Sequence, residues 1–324
     1  MLVYVRKRVK GYYWVLLCAA LSACKSYQEL QVDALKPADM SLKNNAKIVF
    51  VDRGIVHQRD RNQAVILKKT LNMERNDLVD YFYDGLRDGL NWGEKRIVLE
   101  KTYGVKDTVV ENGYEVPRLT MEEIIDLTKR GVPEYLLAVE YCRFYSRSDS
   151  TISFRDNMLL RLYDIRNGEV LDSLTSEQLD VRTQLNPHNL FASIREYMYQ
   201  KGWSYAEHIV PVWIPSRRRI YVNNHVLKSG YYFLKADDVE QAGMVWSAAL
   251  KQKPETALKA AINLAWLYER EGDFEGAIQL LESTLKRFQD KQFSRELAFY
   301  LRDLVKKLQQ RIEDTAKLEE QLNF

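Results

Sequence analysis

The sequence predicts an α+β protein: an N-terminal mixed-sheet α/β sandwich domain followed by a C-terminal all-α helical array. Three observations carry that expectation. Between Ala46 and about Tyr221, short β-branched runs alternate with segments whose apolar residues recur at helical spacing. After Asn223 the strand-like runs stop and every apolar pattern is helical. Within that last part, Ala242, Trp246, Ala249 and Pro254 are matched 35 residues later by Ala277, Leu281, Thr284 and Gln289, which is the signature of stacked helical units.

The chain opens on a basic cluster, Arg6 to Lys10, an uncharged run from Gly11 to Cys24, and Leu21-Ser22-Ala23 before Cys24. This is the layout of a signal peptide. The uncharged run is shorter than the ~20 apolar residues needed to cross a bilayer core. Leu21-Ser22-Ala23-Cys24 resembles the lipobox of bacterial lipoproteins, which implies a signal peptide over 1–23 and lipid, palmitate included, on Cys24. An ordinary secretory signal with a chance cysteine after the cut is the alternative. Removal of 1–23 takes away four basic and no acidic residues, so the formal charge falls from +3 to −1. A near-neutral chain gives no basic face for nucleic acid.

Residues 24–45 are polar and contain Pro37, and they read as a lipidated tether leading into an edge element. The domain from 46 to 222 begins with a strand over Ile48–Val51. Leu78, Phe82, Leu86 and Leu90 then form one helical stripe, and "KRIVLE" gives a second strand. Thr120 with Glu123 forms a capping box for a helix that Gly131 ends. "EYLLAVEYCRFYS" is a longer strand, and Asn167-Gly168 turns a hairpin. A last helix carries Leu190, Phe191, Ile194 and Met198, is interrupted near Gly202 and ends at Pro211. The turn after the first strand lacks the glycines of a dinucleotide fold. Gly85, Gly89 and Gly93 are spaced for close packing on the sheet.

In the region from 223 to 324, the second unit is the fuller one: Leu264-Ala265, Tyr268, Gly272, Phe274 and Ala277. It resembles a tetratricopeptide repeat, with Gly272 turning the chain between two helices. Leu297, Leu301, Leu304 and Leu308 then mark a capping helix. An unrelated helical hairpin packed on the sheet domain is the alternative. The order lipobox, "LKPADMSLKNNAKIVFVDR", "YQKGWSYAEHIVPVW" and short repeat array is similar to an uncharacterised family of Bacteroidota lipoproteins. The resemblance implies an anchored envelope protein and says nothing of catalysis.

Chemistry is sparse. His57, His188, His208 and His225 are scattered, with no HExxH, no paired metal ligands, no GxSxG and no P-loop, so no catalytic residue, metal or cofactor is assigned. Cys142, in a strand-like run far from any histidine, reads as a small buried hydrophobe. Arg217-Arg218-Arg219 reads as a solvated linker, or as ion pairs with Asp237, Asp238 and Glu240; contact with anionic lipid headgroups or glycan is the sharper alternative.

If the helix from Leu258 to Arg270 lines a groove, its consensus packing positions are Ala261, Leu264, Ala265 and Tyr268. That leaves Asn263, Trp266, Leu267 and Arg270 to meet a protein partner; packing of Trp266 inside the protein is the equal alternative. The resulting expectation is a non-catalytic scaffold or protein-binding lipoprotein. It sits in the cell envelope at the outer membrane, anchored through lipid on Cys24, with an envelope protein as partner and homo-oligomerisation left open. A small-molecule or glycan-binding lipoprotein is the runner-up, and a hydrolase without a recognisable motif ranks last.

Overall fold

Strand β2 (Lys47–Asp52) is apolar on both sides because both of its faces are covered. It pairs in parallel with β4 (Val98–Thr102) on one edge and β6 (Tyr135–Asp149) on the other. Antiparallel β7 (Thr151–Asp164) and β8 (Val170–Thr175) complete a five-stranded mixed sheet in the order β4-β2-β6-β7-β8. Gly168 makes the β7–β8 turn with φ of +71°. A separate parallel pair joins β3 (Val56–His57) to β5 (Val109–Val110). The structure, a computed structural model, describes residues 26–57, 73–102, 109–110, 116–128, 133–149, 151–179, 189–291 and 293–322. The signal peptide, Cys24, Gly131 and His188 lie outside them. The fold is α+β.

Helix α1 (Arg75–Trp92) covers one face of the sheet, where Phe50 stacks on Phe82 at 6.2 Å. The predicted stripe Leu78, Phe82, Leu86 and Leu90 is fully buried, and Asp77 accepts the Glu74 N–H at the helix start. Helix α2 (Met121–Thr128) covers the other face by placing Ile124 among Val49, Val51, Leu136, Ala138 and Tyr163. Its capping box forms as expected: the Thr120 N–H donates to Glu123 and the Glu123 N–H to Thr120 Oγ1.

Helix α3 (Leu190–Ile209) corrects three expectations. It runs through Gly202 without interruption. Gly202 is there because α1 crosses at that point: a Cβ on Gly202 would meet the Phe82 carbonyl oxygen at 1.9 Å, and one on Gly85 would meet the Tyr199 carbonyl oxygen at 1.9 Å. Gly85 and Gly89 therefore admit a helix, whereas the sequence suggested the sheet. Phe191, expected on the buried stripe, is exposed, while Leu190, Ile194 and Met198 are buried.

The chain divides into two compact units. The sheet unit comprises Leu35–Trp213 and Leu318–Phe324; the other holds residues up to Ala34 and Ile214–Lys317. The stretch expected as a tether holds β1 (Tyr27–Lys36), which pairs with β9 (Val212–Tyr221). In the helical unit, α4 (His225–Lys235) and α5 (Val239–Ala249) form one hairpin, and α6 (Pro254–Glu271) and α7 (Phe274–Arg287) a second.

The 35-residue shift is visible in the backbone. Asp237 and Gly272 are equivalent turn residues with φ of +60° and +82°. Asp238 and Asp273 then cap the following helices, accepting from the N–H groups of Gln241 and Gly276. Gly230 stands where the second hairpin has Ala265, because a Cβ there would meet the buried Trp246 ring at 2.2 Å. Helix α8 (Arg295–Leu322) packs with Leu297, Leu301, Leu304 and Leu308 buried.

Candidate functional site

The residues expected to meet a partner fall around one feature of the helical unit, strand β9 held against α6 and α8. Tyr221 ends β9, and its side facing away from β1 needs hydrogen-bond partners. Asn263 supplies both, accepting from the Tyr221 N–H at 2.7 Å and donating to the Tyr221 carbonyl at 2.9 Å. Asn263 is completely buried. One residue pair earlier, the Arg219 N–H donates to the Tyr300 hydroxyl at 2.8 Å. These side chains close an edge that would otherwise offer unpaired backbone groups. On the opposite side the Val222 N–H donates to the Ser26 carbonyl at 3.1 Å, which ties the start of β1 to the same ribbon.

The arginine triplet lies in this strand, and its three members have different fates. Arg218 is buried and forks onto Glu269 through Nε and Nη2, both at 2.8 Å. A bidentate pair satisfies a buried carboxylate that would otherwise be costly. Arg219 lies between the rings of Tyr27 and Tyr300, 4.3 and 4.8 Å from their centroids, and donates to Glu296 at 2.7 Å. Arg217 alone is well exposed, with Glu29 at 3.5 Å. The expected ion pairs form, but with Glu29, Glu269 and Glu296 in place of Asp237, Asp238 and Glu240. Arg218 is consumed inside the unit, and Arg219 is held by Tyr27, Tyr300 and Glu296.

Two of the four α6 candidates are corrected in the same way. Asn263 and Leu267 are buried, Trp266 is half-buried in the helical core, and Arg270 is exposed. Arg270 stacks over Trp266 with its Cζ 6.0 Å from the ring centroid and lies 3.8 Å from Asp237. Tyr268, assigned to packing, is exposed instead. Asn263 does hold an extended backbone, but that backbone is the chain's own β9. A polar residue among Ala260, Ala261, Ile262 and Leu264 was the available signal for a buried clamp, and the repeat register overrode it.

The sheet unit holds buried charge at the carboxyl end of β2, beside the middle of β6. Glu140 is fully buried at an irregularity of β6. It accepts from Arg53 and, at 2.6 Å, from the Tyr163 hydroxyl, with Arg161 at 3.6 Å. Arg53 and Arg161 also donate to the carbonyls of Pro117 and Val116, pinning the segment before α2. Burial and the Glu140 charge push the Tyr163 phenol up to about 12. Asp52 pairs with Arg75 at the start of α1.

Cys142 is buried, and desolvation pushes its thiol up to about 12, which disfavours the reactive thiolate. His208 lies between two carboxylates, with Nδ1 2.9 Å from Asp39 and Nε2 3.2 Å from Asp172. The Asp172 contact is the larger cause raising its pKa, against desolvation. Sequence reasoning found none of these clusters, since their members are far apart in the chain. Among the described residues no group of histidine, cysteine, aspartate or glutamate is arranged to hold a metal ion.

Residues 228–308 match the family model of a domain of unknown function, DUF6340. The match begins in α4 and ends in α8, so it spans both hairpins and about a quarter of the chain. No curated protein matches. Among solved structures, the PelC dodecamer from Paraburkholderia phytofirmans is 16% identical, covering 54% of this chain and 98% of that one at a TM-score of 0.26. A variant of that dodecamer gives 16%, 53%, 98% and 0.26. TolB from Acinetobacter baumannii is 12% identical over 54% of this chain and 31% of its own, at 0.19. Similarity at that level establishes no shared fold. Among the described residues no helix is long and apolar enough to cross a membrane.

Proposed function

We propose that the protein is a lipid-anchored envelope scaffold that works without catalysis, held through Cys24 to the outer membrane. The observation that carries this reading is the junction at β1. The lipobox cysteine lies only three residues before Tyr27, and Tyr27 already belongs to the helical unit through Arg219, Tyr221 and the Ser26–Val222 hydrogen bond. A lipid on Cys24 would therefore seat the repeated hairpins at the membrane with almost no slack. Those hairpins resemble a short tetratricopeptide array, an architecture suited to protein binding.

With the Asn263 side of α6 engaged by β9, a partner meets the exposed side, where Tyr268 and Arg270 remain open. Affinity recovery from detergent-solubilised envelope, with Cys24→Ala as control, tests the reading. It requires palmitate incorporation and membrane retention in the wild type only, and one protein partner at fixed stoichiometry. Labelled Cys24→Ala, or recovery of no protein partner, refutes it. The runner-up, a small-molecule or glycan-binding sheet unit, draws on the charged cluster at the carboxyl end of β2, the end of a parallel strand at which α/β sheets commonly take ligands. A co-purifying glycan without a protein partner favours it.

A further inference from the structure

The exposed face of α4 is basic and aromatic, and its distance from the anchor is limited by the chain itself. His225, Lys228, Tyr232 and Lys235 recur at three- and four-residue intervals and so share one side of the helix. The opposite side, Leu227 and Gly230, is buried. Tyr232 is 57% exposed and Phe233 38%, values that no internal contact accounts for. Lys228 lies 5.6 Å from the Tyr232 ring centroid and Lys235 5.8 Å from that of Tyr231, so each ring carries a cation at its face. Helix α4 itself carries no acidic residue; Asp237 lies 3.8 Å from Arg270, which offsets its charge, and Asp238 and Glu240 stand past the helix end, at the cap and in the first turn of α5.

Placement follows from covalent reach. Two residues separate Cys24 from Ser26, at about 3.5 Å each. The Ser26 carbonyl accepts from the Val222 N–H at 3.1 Å, and α4 starts three residues later. The first turn of α4 therefore lies within about 20 Å of the Cys24 Cα.

We propose that this face of α4 rests on the headgroup layer of the membrane beside the anchor, with Tyr232 at the polar–apolar boundary and Lys228 and Lys235 on anionic phosphates. Amphipathic helices with lysines and aromatics bind bilayers in this way, and tyrosine favours that depth. The proposal rests on lipidation of Cys24, and it gives the anchored protein a fixed orientation where a lipid alone would let it swivel.

The test uses full-length protein purified from membranes in detergent, with His225→Cys carrying an environment-sensitive fluorophore and Glu282→Cys on α7 as control. Cys142 is buried and stays unlabelled. On vesicles of phosphatidylethanolamine and phosphatidylglycerol containing a headgroup nitroxide lipid, the label at 225 should be quenched well beyond the label at 282. Lys228→Gln with Lys235→Gln should lower the ratio of membrane-contacting to free helix about 30-fold, two basic residues' worth at an anionic surface. Equal quenching at both positions on vesicle-bound protein overturns the proposal while lipidation stands. Undiminished quenching in the double variant overturns the electrostatic match. Protein that neither takes up palmitate nor binds vesicles removes the anchor reading, and the proposal with it.

Discussion

Asn263→Ala isolates the clamp on β9. The substitution deletes one acceptor and one donor that hold the Tyr221 N–H and carbonyl at 2.7 and 2.9 Å. Tyr221 is itself buried, so water cannot replace either partner without opening the core. A buried backbone group left unsatisfied costs about 1–3 kcal/mol, and two of them place the loss at about 2–6 kcal/mol before any cavity contribution. The comparison is Arg270→Ala, an exposed side chain on the same helix, expected to stay within about 0.5 kcal/mol of wild type.

Urea unfolding followed by circular dichroism gives the energetic difference. Amide hydrogen exchange gives the local one, because the Tyr221 N–H should lose protection in Asn263→Ala and keep it in Arg270→Ala. A loss below about 0.5 kcal/mol with Tyr221 still protected would refute the clamp, and would restore Asn263 as a residue free to hold a partner.

Arg218→Ala leaves Glu269 buried and unpaired and should cost about 3–5 kcal/mol in urea unfolding, whereas Arg218→Met with Glu269→Leu should recover most of it. Gly202→Ala places a methyl group against the Phe82 carbonyl and should destabilise the sheet unit by about 1–3 kcal/mol or more, read as a lower unfolding midpoint. Folding raises the His208 pKa above its ordinary 6.5, chiefly through Asp172, so its contribution is complete below that pH and is lost as pH rises through the folded value. The unfolding midpoint of wild type should therefore fall over that window more steeply than that of His208→Gln. The Cys142 thiol, pushed up to about 12, should resist alkylation at neutral pH until urea unfolds the sheet unit.

Gly272 shows how sequence and structure divide the account. The sequence marks it as the turn between two helices, and it is, but a Cβ there meets nothing within 4 Å. Its φ of +82° is the constraint, so a substitution acts through backbone strain and not through a clash. The α1 stripe, the Thr120–Glu123 capping box, the Asn167-Gly168 hairpin and the 35-residue shift were legible because each depends on neighbours in the chain.

Which polar residues are consumed internally was not legible. Asn263 meets Tyr221, Arg218 meets Glu269, and Glu140 meets Arg53 and Tyr163 across separations of 42, 51, 87 and 23 residues. Helical periodicity assigns a residue to a face, but it cannot say what lies against that face. The repeat register left Asn263 to meet a partner, and only the folded chain brought β9 there to bury it. Local propensity and pattern are properties of short segments, so the sequence determined the elements and the repeat. Burial of charge depends on which distant strand arrives to pay its desolvation, so tertiary structure alone decided which polar side chains are clamps and which are surface.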